Sequence, residues 1–196
     1  MLKIGLTGGI GSGKTTIAKV FELLGAPVYN ADTATKELYQ TNKELMRSMK
    51  QQFGEDIYSN DQLNRSRLAE VVFKDPQKLE LLNSLVHPLT IKDAQEWMQR
   101  QTTPYVLKEA ALIFESGSAE GLDYVIGVHA PAHLRIKRAM ERDNTTREEV
   151  LRRMARQVDE EMKMKLCDFV IENNEQQLVI PQVLALHERF VKEAKR

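Results

Sequence analysis

The chain has 196 residues, which suits one substantial core with inserted segments by the usual range of roughly 100 to 200 residues per domain. Lys plus Arg and Asp plus Glu number 28 each, so the net charge of zero excludes a global field of the kind that holds a protein on nucleic acid or an anionic membrane. The lone Cys167 excludes an internal disulfide, and no apolar stretch approaches the roughly 20 residues that span a bilayer. The chain also opens on an apolar run and a glycine-rich loop rather than on a leader peptide. We therefore expect a soluble, cytoplasmic protein without nucleic-acid or membrane partners, whose oligomeric state stays open.

The segment from Gly8 to Thr15 reads GGIGSGKT and satisfies the pattern G-x-x-x-x-G-K-[ST] at every fixed position. A short apolar run precedes it, and Ile17, Phe21 and Leu24 follow it at helical spacing until Gly25, where a helix should stop. The loop therefore lies between a strand and a helix, where its N–H groups and the positive helix end attract phosphates. The sequence predicts a nucleotide-binding P-loop rather than a purely structural glycine-rich turn.

Two side chains of this loop have predicted roles in binding ATP. Lys14 is expected to reach the β- and γ-phosphates, and Thr15 to place its hydroxyl on a Mg²⁺ ion that bridges them. The predicted cofactor is thus Mg²⁺, bound together with ATP as the phosphoryl donor.

The rest of the chain alternates predicted strands and helices. The residues from Thr33 to about Gln101 show helical periodicity without a clear strand, which indicates a helical insertion after the second strand. The predicted strands include residues 27–29, 105–111, 124–128 and 169–171; the predicted helices after the insertion begin at Pro131, at Thr146 with a capping box that leads as far as Met162, and at Leu178. The pattern predicts an α/β fold with a doubly wound, parallel, five-stranded sheet, a helical insertion and a helical flap.

Asp32 is the candidate catalytic base. It follows the second predicted strand, and ligands of open α/β sheets bind outside the carboxyl ends of the strands. A kinase needs an acceptor for the proton of the attacking hydroxyl, and Asp can serve at an ordinary pKa. The structural alternative is a helix N-cap, and the two roles are compatible.

A basic cluster lies between residues 135 and 156. Its members are Arg135, Lys137, Arg138, Arg142, Arg147, Arg152, Arg153 and Arg156. Arg138 and Arg142 lie one turn apart, as do Arg152 and Arg156 on what we expect to be the next helix, so the pairs are predicted to converge. Guanidinium groups on a closing flap can stabilise a transferring phosphate, whereas the alternative is a solvated helix surface.

Four further residues have two readings each. His87 precedes Pro88 between two predicted helical segments and is either a structural hydrogen-bonding group or a site residue; it has no metal-binding motif beside it. Glu109 and Glu115 bracket an apolar run where P-loop enzymes often keep an acid that orients Mg²⁺ waters, and the sequence does not choose between them. Asn173 either belongs to a turn after the last predicted strand or makes a hydrogen bond to the base of a nucleotide.

Taken together, these motifs resemble those of the bacterial dephospho-coenzyme A kinases in order and spacing, over nearly the whole chain. The matching segments are Thr7–Thr16, Asn30–Asp32, His87-Pro88, Leu112–Glu115, the arginine-rich flap and Asp168–Asn173. Two departures are mild. Asn30 stands where the family usually has Asp, which leaves the second Asp in place, and Ala111 stands where Pro is common.

The resemblance implies transfer of the ATP γ-phosphoryl group to the ribose 3′-hydroxyl of dephospho-coenzyme A, the last step of coenzyme A synthesis. It implies a nucleotide-binding core at residues 1–32, 104–135 and 166–196, an acceptor-binding insertion at 33–103 and a lid at 136–165. For the donor, the resemblance implies Lys14 as phosphate clamp, Asn173 near adenine, and an ATP loop made of Gly11, Ser12, Gly13, Lys14, Thr15 and Thr16. In the lid it implies phosphate contacts from Arg138 and Arg142, with a catalytic role for Arg142. For the acceptor it implies Asp32 as the base and both Asp32 and His87 in the binding region.

Three alternatives compete with this function. The nearest is another small P-loop kinase acting on a nucleoside, a nucleotide or a metabolite such as shikimate. A GTP-binding switch is disfavoured because no Asn-Lys-x-Asp element occurs in the chain. A nucleic-acid-binding adaptor fits poorly with zero net charge and few aromatic residues.

Overall fold

The computed structural model describes residues 1–72 and 74–195. The chain divides into two compact units, one formed by Met1–Asn30 with Met98–Arg196 and the other by Ala31–Trp97. The strands are β1 Leu2–Thr7, β2 Val28–Asn30, β3 Tyr58–Ser59, β4 Gln62–Leu63, β5 Tyr105–Glu109, β6 Tyr124–His129 and β7 Phe169–Glu172. The α-helices are α1 Lys14–Leu23, α2 Ala31–Thr41, α3 Lys43–Phe53, α4 Arg65–Val72, α5 Pro76–Gln99, α6 Ala132–Asp143, α7 Arg147–Met154, α8 Glu160–Lys165 and α9 Val179–Glu193.

The first unit is built on a parallel five-stranded sheet in the order β2-β5-β1-β6-β7. The central strand β1 pairs in parallel with β5 and β6, and the register sets Leu6 beside Glu109 and Glu109 beside Asn30. The carboxyl ends of β1, β2 and β5 therefore meet at one edge of the sheet. This topology confirms the doubly wound parallel sheet that the sequence predicts.

Apolar side chains of α1 and α9 pack against the central strands. The buried cluster joins Ile4 and Leu6 of β1 to Phe21 of α1 and Phe190 of α9. Burial of such side chains contributes roughly 1.5–3 kcal/mol each, so this core fixes the edge of the sheet from which the glycine-rich loop emerges. The α1 helix ends at Leu23 with Leu24 as its C-cap, just before Gly25, whose φ of 87° is left-handed and which the sequence predicts as the stop.

The second unit is mainly helical and contains one hairpin that the sequence prediction missed. The strands β3 and β4 pair antiparallel across Asn60 and Asp61, whose φ angles of 49° and 60° are typical of a type I′ turn. The prediction of two helical segments meeting at His87-Pro88 is also wrong. One helix, α5, continues through Pro88, because the neighbouring turns retain their hydrogen bonds where a proline removes one.

The boundaries of the arginine-rich segment also differ from the prediction. Pro131 is the N-cap of α6 rather than its first residue, and α7 ends at Met154 rather than continuing to Met162. A new helix, α8, starts after Asp159, whose Oδ1 accepts hydrogen bonds from the N–H groups of Glu161 at 3.0 Å and Met162 at 3.2 Å. The strand expected at 105–111 ends at Glu109.

Candidate active site

The glycine-rich loop of residues 8–13 connects β1 to α1. Gly11 and Gly13 have φ angles of 77° and 96°, a left-handed region that favours glycine. Gly13 is the N-cap of α1, and no side chain of the described residues caps this helix end. The positive end of α1 therefore faces the loop, which is the arrangement that attracts phosphate groups.

Lys14 bends back over the loop. Its Nζ donates hydrogen bonds to the carbonyl oxygens of Gly8 at 2.9 Å and Gly9 at 3.3 Å. These bonds hold the ammonium group above the same loop whose curvature the glycines permit. The arrangement places a positive charge where the sequence predicts the β- and γ-phosphates.

Thr15, Glu109 and Asn30 form a hydrogen-bonded group at the carboxyl ends of the strands. Thr15 Oγ1 donates to Glu109 Oε1 at 2.7 Å, and Asn30 Nδ2 donates to Glu109 Oε2 at 2.8 Å. Glu109 is only 6% exposed, so the two donors replace water around its carboxylate. The departure at position 30 therefore has a function: Asn30 supplies an N–H donor to a carboxylate, which an ionised Asp cannot do.

Glu115 has a different environment. Its Oε1 accepts from Lys163 Nζ at 2.9 Å and from the N–H of Val158 at 2.9 Å. Burial opposes ionisation of Glu115, but the hydrogen bonds from Lys163 and Val158, together with the charge of Lys163, outweigh it and lower the pKa of the carboxyl. Glu115 thus serves an internal ion pair, whereas Glu109 lies against the Thr15 hydroxyl.

Guanidinium groups of α6 and α7 meet at Asp143, at the start of the loop across which the sequence predicts that the arginine pairs converge. Arg142 hydrogen-bonds Asp143 through Nε at 2.7 Å and Nη2 at 3.0 Å, and Arg153 reaches the same carboxylate at 2.8 Å. Hydrogen bonding from Arg142 lowers the pKa of Asp143 and outweighs the opposing effect of burial. Arg152 pairs with Glu149 on its own helix. Because α7 ends at Met154, the expected helical pair of Arg152 and Arg156 does not exist.

Arg138 and Asn173 tie the segment after β7 to the rest of the loop region. Arg138 Nη1 donates to the carbonyl oxygen of Asn173 at 3.1 Å, and its Nη2 to Glu175 Oε1 at 3.0 Å. Asn173 Nδ2 donates to the carbonyl oxygen of Ser12 at 2.8 Å, and a Cβ at Gly13 would collide with this amide. The structure thus brings Arg138, Asn173 and the glycine-rich loop together.

A buried polar network beside the loop was missed by the sequence prediction. Arg135, in the first turn of α6, is 6% exposed and pairs with Glu160 at 3.2 Å. Lys163 is fully buried and donates to the carbonyl oxygen of Ala111 at 2.9 Å as well as to Glu115. A signal for Arg135 was present, because it lies four residues before Ala139 on the buried face of an amphipathic helix.

Asp32 and His87 belong to the second unit. Asp32 is an exposed residue in the first turn of α2, which starts at Ala31, so the N-cap alternative is wrong; a carboxylate in a first turn is still favoured by the helix dipole. His87 is half-buried in α5, and burial lowers its pKa.

Among the described residues, no group of three or more His, Cys, Asp or Glu side chains is arranged to hold a metal ion. Mg²⁺ in nucleotide sites generally needs only one or two protein oxygens beside phosphates and waters, and Thr15 with Glu109 offers oxygen donors of that kind. In the part of the chain described, every helix is too short or too polar to cross a bilayer.

Comparison with known proteins shows the family and the fold of the chain. The family model described as dephospho-CoA kinase matches residues 2–178. The dephospho-CoA kinase of Chlorobium chlorochromatii is 39% identical over 181 residues, covering 88% of this chain and 85% of that protein. A crystal structure from Thermus thermophilus matches with a TM-score of 0.83 at 35% identity, covering 98% of this chain and 97% of that one. The dephospho-CoA kinase from Campylobacter jejuni matches with a TM-score of 0.72 at 26% identity, covering 97% and 98%. The chain therefore belongs to the dephospho-CoA kinase family.

Proposed function

We propose that the chain transfers the γ-phosphoryl group of ATP to the ribose 3′-hydroxyl of dephospho-coenzyme A, giving coenzyme A and ADP. The observation that carries this proposal is the meeting of Lys14, Thr15 and Glu109 at the carboxyl ends of β1 and β5, in a chain of this family. A lysine over a glycine loop and a hydroxyl beside a buried carboxylate match the needs of phosphoryl transfer, where positioning and charge stabilisation dominate.

The donor side of the reaction is assigned to the P-loop. The N–H groups of residues 11–16 surround the phosphates, and Lys14 exchanges its bonds to Gly8 and Gly9 for bonds to the β- and γ-phosphates. Asn173 holds the loop from the side where we place adenine, through its bond to Ser12. Together these contacts would hold the γ-phosphoryl group in place for transfer.

Thr15 and Glu109 are the residues that would hold Mg²⁺ with ATP. When bound, the ion offsets the negative charge that develops on the transferring phosphoryl group. Thr15 Oγ1 would supply an oxygen ligand to the ion, and Glu109 would accept hydrogen bonds from its waters. Asn30 keeps the second oxygen of Glu109 occupied and so fixes the orientation of the carboxylate.

The acceptor side is assigned to the insertion, residues 33–103, with Asp32 at its beginning. Asp32 lies two residues beyond Asn30, the last residue of β2, and its exposed carboxylate is available to accept the 3′-hydroxyl proton. His87 belongs to the region that binds the acceptor, where burial lowers its pKa and so favours the neutral imidazole.

Residues 136–165 form the lid in this proposal. Arg142 has an exposed side chain held by Asp143, and exchanging that carboxylate for a phosphate oxygen would bring its charge to the reaction. Arg138 makes the second contact from α6. The remaining segments, 1–32, 104–135 and 166–196, form the nucleotide-binding core, and the place of action is the cytoplasm, where coenzyme A synthesis takes place.

The direct test is an assay with ATP, Mg²⁺ and a panel of acceptors, in which ADP release is coupled to a spectrophotometric signal. Dephospho-coenzyme A should be phosphorylated far faster than AMP, adenosine or shikimate, with the new phosphate on the 3′-oxygen by ³¹P NMR. Equal or faster turnover of AMP or shikimate would instead support the alternative of another small P-loop kinase.

A further inference from the structure

One hydrogen bond links the segment between α7 and α8 to the middle of the P-loop. The main-chain N–H of Ile10 donates to Oε1 of Gln157 at 3.0 Å, in a partly buried position. Gln157 lies in the proposed lid segment, but its side chain has none of the roles assigned above. Its side chain reaches across a long sequence separation to bond one loop amide, and a contact of that kind restricts the loop backbone.

Residues adjacent to this bond are enclosed by side chains of α6 and α8. A Cβ at Gly9 would collide with Arg135 Nη1 and crowd Glu160 Oε2, and a Cβ at Gly11 would collide with the carbonyl group of Arg135. The loop is therefore packed against the starts of both helices on either side of Ile10. At Gly11 the left-handed backbone and the main chain of Arg135 leave room only for glycine, whereas a Cβ at Gly9 would displace the ends of the Arg135 and Glu160 side chains.

The ion pair of Arg135 and Glu160, which encloses Gly9, is expected to add little to the free energy of folding. Arg135 and Glu160 have side chains only 8% and 13% exposed, and Arg135 Nε and Glu160 Oε1 are buried without a hydrogen-bond partner among the described residues. Desolvation of such a pair generally cancels much of its Coulombic attraction. Because this pair lies against Gly9, we infer that it shapes the P-loop rather than adding stability to the fold.

We propose that Gln157 is a positioning residue for ATP, which holds the Ile10 N–H and thereby keeps the P-loop in its phosphate-binding shape before ATP arrives. The inference rests on the ATP-binding role proposed above. Without the Gln157 acceptor, ATP itself must order the loop, so its affinity falls while the bound geometry and the chemical step are retained. A residue that only stabilises the fold would change Tm and leave ATP affinity unaltered.

The test uses Gln157→Met, which removes the acceptor oxygen and keeps the side-chain length. Calorimetric titration with ATP, in the absence of acceptor, should give a Kd raised about three- to tenfold, the effect of losing one hydrogen bond. KM for ATP should rise in parallel, whereas kcat and KM for dephospho-coenzyme A should stay at the values of the unaltered protein. All titrations are made below the Tm of each variant. If Gln157→Met folds poorly, Gln157→Asn replaces it, because its side chain is one methylene too short for the oxygen to reach the N–H of Ile10.

Asp123→Ala is the matched control at the other end of β1. Asp123 Oδ2 accepts from the N–H of Lys3 at 2.6 Å, so this change also removes a side-chain acceptor of one main-chain amide. It should lower Tm without changing the Kd for ATP. Unchanged ATP affinity in both Gln157 variants, or equal weakening in Asp123→Ala, overturns the positioning role and leaves the proposed function intact. Failure of the unaltered protein to bind ATP overturns both.

Discussion

The two units of the chain bury different kinds of side chain. The first unit buries four charged residues, Lys108, Glu109, Arg135 and Lys163, within or beside its parallel sheet. The buried cluster of the second unit is formed by Leu45, Met46, Met49, Phe53, Ile57, Tyr58, Leu68, Val72, Leu82 and Val86. Among the described residues of the second unit, Thr90 is the only buried side chain classed as polar. One unit thus carries internal charge, and the other is held together by apolar burial.

The difference separates stability from chemistry. Burying a charge costs several kcal/mol before pairing, so charged side chains are poor material for a core. The described buried atoms without hydrogen-bond partners all belong to the first unit, on Ser12, Glu115, Arg135 and Glu160. Such local departures from good packing are expected where a site has to be shaped for a reaction. We expect mutations in the first unit to change turnover and mutations in the apolar cluster to change mainly stability.

The largest expected effect follows removal of the ammonium group over the P-loop. Lys14→Ala should lower kcat by at least about 10³-fold, because the group stabilises charge on the transferring phosphate. Its Tm should stay close to that of the unaltered protein, since the bonds of Lys14 go to the loop itself. Steady-state kinetics and thermal unfolding measure both. Lys19→Ala, an exposed lysine of the same helix, is the control, and near-normal turnover of Lys14→Ala would contradict the P-loop assignment.

A second change tests whether the second unit contributes a reacting group. Asp32→Asn keeps the shape of the side chain but removes its capacity to accept the hydroxyl proton, so kcat should fall about 10² to 10⁴-fold. Tm and ATP affinity should barely change, because Asp32 is exposed on the first turn of α2. Full activity with an unchanged Tm would exclude Asp32 as the base.

Two glutamates of the first unit sharpen the comparison, because we assign one to the reaction and the other to the fold. Glu109→Gln should lower kcat about 10²-fold and raise the Mg²⁺ concentration needed for half-maximal rate, because we propose that the carboxylate beside Thr15 would orient the waters of the ion. Glu115→Gln should leave kcat of the folded enzyme near normal. It should lower stability by about 3 kcal/mol, because the fully buried Lys163 loses its counter-charge.

The pH dependence of Tm distinguishes the two glutamates further. The pKa of Glu115 is lowered, since hydrogen bonds from Lys163 and Val158 outweigh burial, so its ion pair contributes stability above the ordinary carboxyl pKa of 4.5. That contribution is lost as the pH falls through the lowered pKa. Thermal unfolding between pH 7 and pH 3 should therefore show a shallower acid decline for Glu115→Gln than for the unaltered protein. An equal decline of Tm with falling pH in both proteins would contradict the stabilising role of Glu115. A large loss of kcat in Glu115→Gln alone would assign Glu115, rather than Glu109, to the reaction.

Much of the first unit follows from the sequence because its signals have fixed spacing. The segment from β1 through the P-loop to α1 needs only the pattern of glycines, Lys14 and Thr15 and the helical period after it. The choice between Glu109 and Glu115 does not follow, since it depends on the strand register that sets Glu109 beside Asn30. Sequence distance carries no information about that pairing.

Local signals that are short or contradictory produced the other errors. Two-residue strands are too short to show alternating apolar and polar residues. In the sequence, only the Asn60-Asp61 pair indicates the hairpin between β3 and β4. Pro88 is normally read as a helix boundary, yet α5 continues through it. The spacing of the lid arginines did not show that Arg153, which lies outside the predicted pairs, would join Arg142 at Asp143. Side-chain partners decide such arrangements, and spacing alone does not.

The smallest expected effect concerns Arg142 and Arg138 of α6, which do not belong to the four buried charged residues of the first unit. If Arg142 reaches a phosphate only when the lid closes, its contribution appears in the transition state more than in ground-state binding. Arg142→Ala should then lower kcat about tenfold, by roughly 1.4 kcal/mol, with a smaller change in KM for either substrate. Arg153→Ala removes the other guanidinium bound to Asp143 and serves as the matched control, with near-normal kcat expected.

Arg138→Ala should affect ATP binding as well, because Arg138 also holds the Asn173 segment against the P-loop. Kinetics of all three variants at saturating and limiting ATP separate these outcomes, and wild-type values for Arg142→Ala and Arg138→Ala would return the cluster to a solvated helix surface.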